Sequence, residues 1–321
     1  MTENNFLFQL KNVSKDFPIR SGLLKRIIGN VKAVDNVSLQ IRRGETLGLV
    51  GESGCGKTTI ARMMLHLEKA TSGKIIFNNE NIVEYDRKKV KSYRKNVQMI
   101  FQDPYSSLNP QRNIKQILSE PLLINKVGNV NEKIESILVL VNLPIATLNK
   151  YPHELSGGQR QRVGIAKALT LNPKLIVCDE PVSALDVSIR SQIINLLLEL
   201  QEKKQMSYLF ISHDLSLIEH MSDNIVIMYL GQIVEKISSN NFNKNHLHPY
   251  TKALISSIPK IKPGETNKRI LLQGDVPSPI NPPSGCRFRT RCPEAHDKCV
   301  TQQPALAEIK KNHFVACHLI H

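Results

Sequence analysis

Gly51-Glu52-Ser53-Gly54-Cys55-Gly56-Lys57-Thr58 follows the apolar run Thr46-Leu47-Gly48-Leu49-Val50 and precedes a segment with Ile60, Met63, Met64 and Leu67 at helical spacing. A strand, a glycine-rich loop and a helix in that order form a phosphate cradle, the P-loop. Its glycines (Gly51, Gly54, Gly56) let backbone N–H groups turn inward, and the helix behind offers its positive end to an anion. Lys57 supplies a point charge to the β and γ phosphates and the Thr58 hydroxyl is a magnesium ligand; Ser53, Cys55 and Thr59 complete the segment. Ser72-Gly73 is read as the end of the helix.

Downstream, the apolar run Leu175-Ile176-Val177-Cys178 ends in Asp179-Glu180. Asp179 at the end of a buried strand suits Mg²⁺. Glu180 is expected on the other side of the chain, because successive strand residues alternate. That frees it to act as general base on an attacking water. Alone, such a pair is as often a solvated turn; the cradle upstream gives it meaning. Leu155-Ser156-Gly157-Gly158-Gln159 reads as a helix start capped by Ser156, with bare amides able to bind an anion. His213 follows the apolar run Tyr208–Ser212 and could polarise a terminal phosphate, although a lone His at a strand end is usually structural.

Working outward, alternation at Phe6, Phe8 and Leu10, and again at Val37, Leu39 and Ile41, predicts strands between Phe6 and about Glu45. The basic stretch Ser21 to Asn30 between them reads as a loop or a short amphipathic element. The region from Asp103 to Asn149 reads as mainly helical, with Ile134, Ile137, Leu138 and Val141 on one face. A helix from Gln159 carries Val163, Ala166 and Leu169. Strands at 175–178, 208–211 and 225–229, with a helix from Ser188 to Glu202 between the first two, argue for a parallel α/β core. After Ser238, prolines at 249, 259, 263, 277, 279, 282 and 283 mark an extended C-terminal appendage. No internal repeat is visible.

The net charge of +15 fits an anionic membrane surface, nucleic acid or simply a basic solvated surface. Its densest cluster is Arg87-Lys88-Lys89, Lys91 and Arg94-Lys95. Aromatics are sparse, which weakens a reading based on base stacking. No run reaches the ~18–20 apolar residues of a spanning helix. Met1-Thr2-Glu3-Asn4-Asn5 shows no cleavable signal pattern, so any membrane crossing is expected from other subunits. Of six cysteines, Cys55 and Cys178 read as small buried side chains. The other four crowd the C-terminal segment, which points to a metal rather than to disulfides in a reducing compartment.

Taken together, these residues resemble the ATP-binding subunits of ABC transporters over about residues 6–240. Leu155-Ser156-Gly157-Gly158-Gln159 is similar to the family signature, Phe101-Gln102-Asp103-Pro104 to its Q-loop, Ser183-Ala184-Leu185-Asp186 to its D-loop, and Ser212-His213-Asp214 to its switch segment. The resemblance implies a RecA-like parallel core with an antiparallel β region, a helical subdomain at about 103–160 and a nucleotide-binding domain over 1–240. It implies two ATP molecules sandwiched head to tail, each between one subunit's cradle and the other's Ser156-to-Gln159 segment. Gln102 would contact Mg²⁺ and the attacking water, and Phe17 would stack on adenine.

Val31-Lys32-Ala33-Val34-Asp35, Asp103-Pro104-Tyr105-Ser106-Ser107-Leu108-Asn109-Pro110 and His248-Pro249-Tyr250-Thr251 resemble the oligopeptide/dipeptide/nickel importers within that family. The Cys55 form of the cradle looks like the second, F-type ATPase of the pair, which implies a heterodimer with a paralogous ATPase. Two integral membrane permease subunits, an extracytoplasmic binding protein and a place at the cytoplasmic face of the membrane are also implied. Cys286-x5-Cys292-x6-Cys299-x17-Cys317, within a 241–321 extension, resembles the importers' four-cysteine element. A 4Fe–4S cluster, a zinc site and reduced thiols without metal are the alternatives. Rival functions are uptake of nickel or a metal chelate, and a soluble ABC-type ATPase acting on nucleic acid or ribosomes. The latter usually carries two ATPase modules or a long coiled coil, neither visible here, so no nucleic-acid partner is expected.

Overall fold

A computed structural model describes residues 5–22, 26–258 and 269–320, without the side chains of residues 104 and 106. In chain order, the first elements are β1 (Phe6–Ser21), β2 (Arg26–Arg42), β3 (Thr46–Val50), α1 (Lys57–Met64), β4 (Ser72–Phe77) and β5 (Glu80–Asn81). Then come α2 (Arg87–Asn96), β6 (Val97–Ile100), α3 (Pro104–Ser107), α4 (Ile114–Ile124), α5 (Val130–Leu140), α6 (Gly157–Leu169), β7 (Leu175–Asp179), α7 (Val187–Lys204) and β8 (Ser207–Ile211). The last are α8 (Leu215–Met221), β9 (Asn224–Tyr229), β10 (Gln232–Ser238), α9 (Ser239–Asn245), α10 (Pro249–Ser256), α11 (Asp297–Thr301), β11 (Ala307–Lys310) and β12 (His313–Val315). The chain forms two units: Met1–Gln40 with Thr46–Val83 and His213–His321, and Ile41–Glu45 with Glu84–Ser212.

In the first unit β3 pairs parallel to β9, from Leu47 opposite Asn224 to Val50 opposite Ile227. Every residue of β3 is buried, as expected of a strand covered on both faces. A separate antiparallel sheet, ordered β2-β1-β4-β5, sets Phe8 opposite Phe77 and Leu10 opposite Ile75. Along β2, exposed and buried positions alternate towards its end, the pattern of a sheet with one wet face. Arg26 to Asn30 belong to strand β2 rather than to the loop or short amphipathic element expected there; residues 23–25 lie outside those described.

Helix α1 stops at Met64 rather than running towards Ser72. His66 adopts a left-handed φ of 53°, and the Leu67 N–H returns to the Arg62 carbonyl at 2.9 Å, closing the last turn. Leu67 therefore leaves the apolar face and is exposed, and Ser72-Gly73 opens β4 instead of ending a helix.

In the second unit β6, β7 and β8 form a parallel run, with Ile100 opposite Cys178 and Asp179 opposite Ile211. β7 and β8 are wholly buried. Asn113 caps α4 through a reciprocal bond with Gln116, and α5 buries Ile134, Ile137 and Leu138, with Val141 just beyond. The basic cluster lies on α2, where Arg87, Lys88, Lys89, Lys91 and Arg94 are exposed and only Tyr93 turns fully inward.

The segment beyond Ser238 is less extended than expected. It folds as α9 and α10, and later returns as the hairpin β11–β12, with β12 pairing against β10 through Val315 opposite Glu235. Glu235 is fully buried and accepts from the backbone N–H of Leu247 and His248, and its carboxylate lies 2.7 Å from His313 Nε2. Pro259 and Pro263 lie outside the described residues. Among the described residues no helix is long and apolar enough to cross a membrane.

Candidate functional site

The loop between β3 and α1 turns on three glycines with positive φ: Gly51 at 155°, Gly54 at 78° and Gly56 at 109°. Two are also hemmed in by backbone. A Cβ on Gly51 would stand 2.3 Å from the Met228 carbonyl oxygen, and one on Gly56 would stand 2.4 Å from that of Ala33. Only glycine fits either place. Lys57 curls back over the loop, its Nζ donating to the carbonyls of Gly51 at 2.6 Å and Glu52 at 2.9 Å. Cys55 lies beneath, and burial raises its thiol pKa against the opposing pull of Lys57. Ser53, Gly54 and Thr58 are exposed and Thr59 is half-buried. Gly56, the N-cap of α1, contributes no side-chain acceptor, so the first amides of α1 are offered to an anion.

Asp179 is the last residue of β7 and is 9% exposed. Glu180 departs from simple strand alternation. Its φ of 48° is left-handed, and its N–H bonds the Ile211 carbonyl at 2.9 Å, so the chain turns sharply as it leaves the sheet. Gln102, two residues past β6, donates from Nε2 to Glu180 Oε2 at 2.9 Å. The paired parallel strands β6 and β7 thus bring these two side chains together across 78 residues of sequence.

Ser156 caps α6 as expected. Its Oγ accepts from the Gln159 N–H at 3.3 Å and its own N–H donates to Gln159 Oε1 at 3.1 Å. Ser156 is exposed, while Gly158 packs where a Cβ would meet Ile189 Cγ2 at 2.6 Å. Gly157 faces Leu185 of the Ser183–Asp186 segment, whose Ser183 Oγ donates to the Glu180 carbonyl at 3.1 Å. His213 is exposed, and Asp214 beside it caps α8 by accepting from Ser216 and Leu217. Phe17 is half-exposed on β1, with Lys15 Nζ 4.6 Å from its ring centre, rather than a buried core residue.

Comparison with known proteins accounts for this set of parts. The ABC transporter family matches residues 34–183, and the "Oligopeptide/dipeptide transporter, C-terminal region" family matches residues 234–299. The oligopeptide transport ATP-binding protein AppF of Bacillus subtilis is 52% identical, over 98% of this chain and 97% of that protein. The chain belongs to the ABC transporter family. The dipeptide transport ATP-binding protein DppF of Haemophilus influenzae is 45% identical over 98% of this chain and 97% of its own length. Among solved structures, the ATP-binding cassette MJ0796, in a dimeric post-hydrolysis state with ADP and Pi, is 28% identical with a TM-score of 0.64. That match covers 72% of this chain and 98% of the cassette. This chain is accordingly an ATP-binding protein of the family's oligopeptide/dipeptide group, and an ATPase by class.

The oligopeptide/dipeptide C-terminal region contributes two things. One was missed in the sequence: Tyr250 and Arg291 reach Glu52 of the cradle. No local spacing announces such contacts. The other concerns the four cysteines. Cys286, Cys292, Cys299 and Cys317 are neighbours, with the Cys286 N–H on the Cys299 carbonyl at 2.8 Å, and each of Cys286, Cys292 and Cys317 is influenced electrostatically by other thiols of the set. Yet among the described residues no group of three or more His, Cys, Asp or Glu side chains is arranged to hold a metal ion. Burial pushes the Cys292 thiol up to about 11 and raises Cys286 and Cys317.

Proposed function

We propose that this chain hydrolyses ATP to drive uptake of oligopeptides or dipeptides through two separate integral membrane permease subunits. The observation that carries this reading is the phosphate cradle, in which three left-handed glycines turn the loop and Lys57 is folded over it. The names of the relatives AppF and DppF supply the cargo class. In this reading Gly51, Ser53, Gly54, Cys55, Gly56, Lys57, Thr58 and Thr59 bind the triphosphate. Thr58, Asp179 and Gln102 would hold Mg²⁺, which would neutralise charge on the phosphates. Glu180 takes the proton of the attacking water, His213 contacts the terminal phosphate, and Phe17 stacks on adenine.

Ser156, Gly157, Gly158 and Gln159 serve the ATP held by a paralogous ATPase subunit, so the working form is a heterodimer. The exposed Ser156 and the start of α6 support that role: the cap takes the Gln159 N–H, the amides of Gly157 and Gly158 ahead of it have no acceptor within the helix, and a helix N-terminus favours an anion. Residues 1–240 form the nucleotide-binding domain and 241–321 the extension. The complex sits at the cytoplasmic face of the membrane, with an extracytoplasmic binding protein supplying cargo. For the cysteines, a 4Fe–4S cluster rests on their spacing and neighbourhood alone. An absorption spectrum of anaerobically purified protein with metal analysis decides it, and a colourless, metal-free sample removes it.

The function is tested by purifying the chain with its membrane partners, reconstituting the complex in vesicles and measuring ATP-dependent uptake. Labelled di- to pentapeptides should accumulate. Accumulation of Ni²⁺ but of no peptide would transfer the chain to the nickel or metal-chelate alternative, and co-purification with RNA instead of membrane subunits would end the transport reading.

A further inference from the structure

Glu52, the second residue of the cradle, is held at three of its atoms. Its backbone N–H donates to Tyr250 Oη at 3.0 Å, its carbonyl accepts from Lys57 Nζ at 2.9 Å, and its carboxylate accepts from Arg291 Nη1 at 2.7 Å. Lys57 belongs to the cradle, but Tyr250 and Arg291 lie 198 and 239 residues further along. Neither is a casual surface contact. Tyr250 is fully buried and the Arg291 side chain is 10% exposed.

The holders are themselves fixed. Tyr250 packs on Tyr229 with ring centres 4.9 Å apart and on Phe288 at 5.3 Å. The Arg291 guanidinium lies 6.0 Å from the Tyr229 ring centre. Phe288 and Arg291 both stand on the short segment between Cys286 and Cys292. That segment is anchored again by Arg287, which is buried, ion-paired to Asp35 and bonded to the Leu230 carbonyl. Burial works against the charge of Arg291, yet the Glu52 carboxylate and Tyr229 together outweigh it and the guanidinium pKa is raised overall. A charged pair in so enclosed a place is held in one geometry rather than sampling many.

The consequence concerns Lys57. Its ammonium rests on the Glu52 carbonyl, so the orientation of that peptide sets where the cation waits. A loop turning on three left-handed glycines has little stiffness of its own. Each residue left unordered must be fixed, at a cost in conformational entropy, when a ligand arrives. We propose that Tyr250 and Arg291 are positioning residues for the phosphate cradle: by pinning Glu52, the cysteine-bearing C-terminal segment holds the loop in the form from which Lys57 receives the phosphates. The proposal rests on the reading that this cradle binds ATP.

The full-length chain is titrated with Mg·ATP as wild type, Tyr250→Phe, Arg291→Met, Arg291→Lys, Glu52→Gln and the Glu52→Gln/Arg291→Met pair, with thermal melting alongside. Steady-state hydrolysis is measured in the assembled complex. Tyr250→Phe keeps the ring and removes only the acceptor of the Glu52 N–H. It and Arg291→Met should each raise the Kd and KM for ATP about tenfold, equal to ~1.4 kcal/mol, while kcat at saturating ATP stays within about twofold. Arg291→Lys should recover part of the loss. In the Glu52→Gln background, Arg291→Met should add less than about a twofold change, because the pair acts as one unit.

ATP affinity within twofold of wild type in both Tyr250→Phe and Arg291→Met overturns the proposal and leaves the ATPase reading standing. So does a loss in Arg291→Met that is fully additive with Glu52→Gln. Should Arg291→Met fail to fold, Tyr250→Phe and Glu52→Gln decide the matter by the same Kd criterion. A wild-type chain that binds no ATP overturns the ATPase reading itself, and the positioning role with it.

Discussion

Replacing Glu180 by Gln separates a chemical role from a structural one. The main chain at this position is tied by the Glu180 N–H to Ile211 at 2.9 Å and by its carbonyl to the Ser183 Oγ at 3.1 Å. Neither bond involves the carboxylate. The left-handed φ of 48° costs Gln what it costs Glu, and a glutamine carbonyl can still accept from Gln102 Nε2. At the Gln102 contact the structural loss is thus the difference between a charged and a neutral hydrogen bond, ~1 kcal/mol. A positioned general base is worth ~10²–10⁴-fold, or ~3–5 kcal/mol on the barrier. Loss of the base therefore outweighs the weakened hydrogen bond. Phosphate release by the assembled complex should fall at least about a hundredfold, while ATP binding by the full chain and its melting temperature stay close to wild type. Hydrolysis within about tenfold of wild type, with binding intact, would refute the assignment of Glu180 as base.

Three further outcomes rest on particular contacts. Gly56→Ala puts a Cβ 2.4 Å from the Ala33 carbonyl at a φ of 109°, so nucleotide titration should show ATP binding weakened by more than about tenfold, with stability lowered by roughly 2 kcal/mol or more; an unchanged Kd would contradict the cradle geometry. Ser156→Ala removes the acceptor of the Gln159 N–H, a loss of ~0.5–2 kcal/mol in denaturant melts. If Ser156 serves a partner's nucleotide, hydrolysis by the complex should also fall while ATP binding by the isolated chain does not, and an equal fall in both would place Ser156 elsewhere. Burial lowers the His248 pKa to about 3 from its ordinary 6.5, so between those values the unfolded chain takes up a proton that the folded one refuses. Stability is therefore complete above about pH 6.5 and declines as pH falls towards 3, by ~2 kcal/mol between pH 7.5 and 5.0. Urea melts should show this slope, and His248→Asn, which keeps an acceptor for the Tyr250 N–H, should flatten it; parallel slopes would defeat the argument.

Read alone, the sequence determined the parts whose signals are local. A continuous apolar run gives the buried strand β3, the glycines and Lys57 give the loop behind it, and a Ser-Gly-Gly-Gln string gives the capped start of α6. Each depends on residues within a few positions of one another, where period and turn chemistry are sufficient. No local pattern set the path of the segment after Ser238, and the cysteine spacing left a cluster, a zinc site and metal-free thiols all open. The bond from Gln102 to Glu180, the clasp of Arg291 and Tyr250 on Glu52, and the return of β12 to β10 were decided by the tertiary structure. The side-chain contacts among these join residues 78 to 239 positions apart. Their energy is released only after the strands and aromatic rings have packed and chain closure has been met, so neighbouring residues in the sequence carry no trace of them.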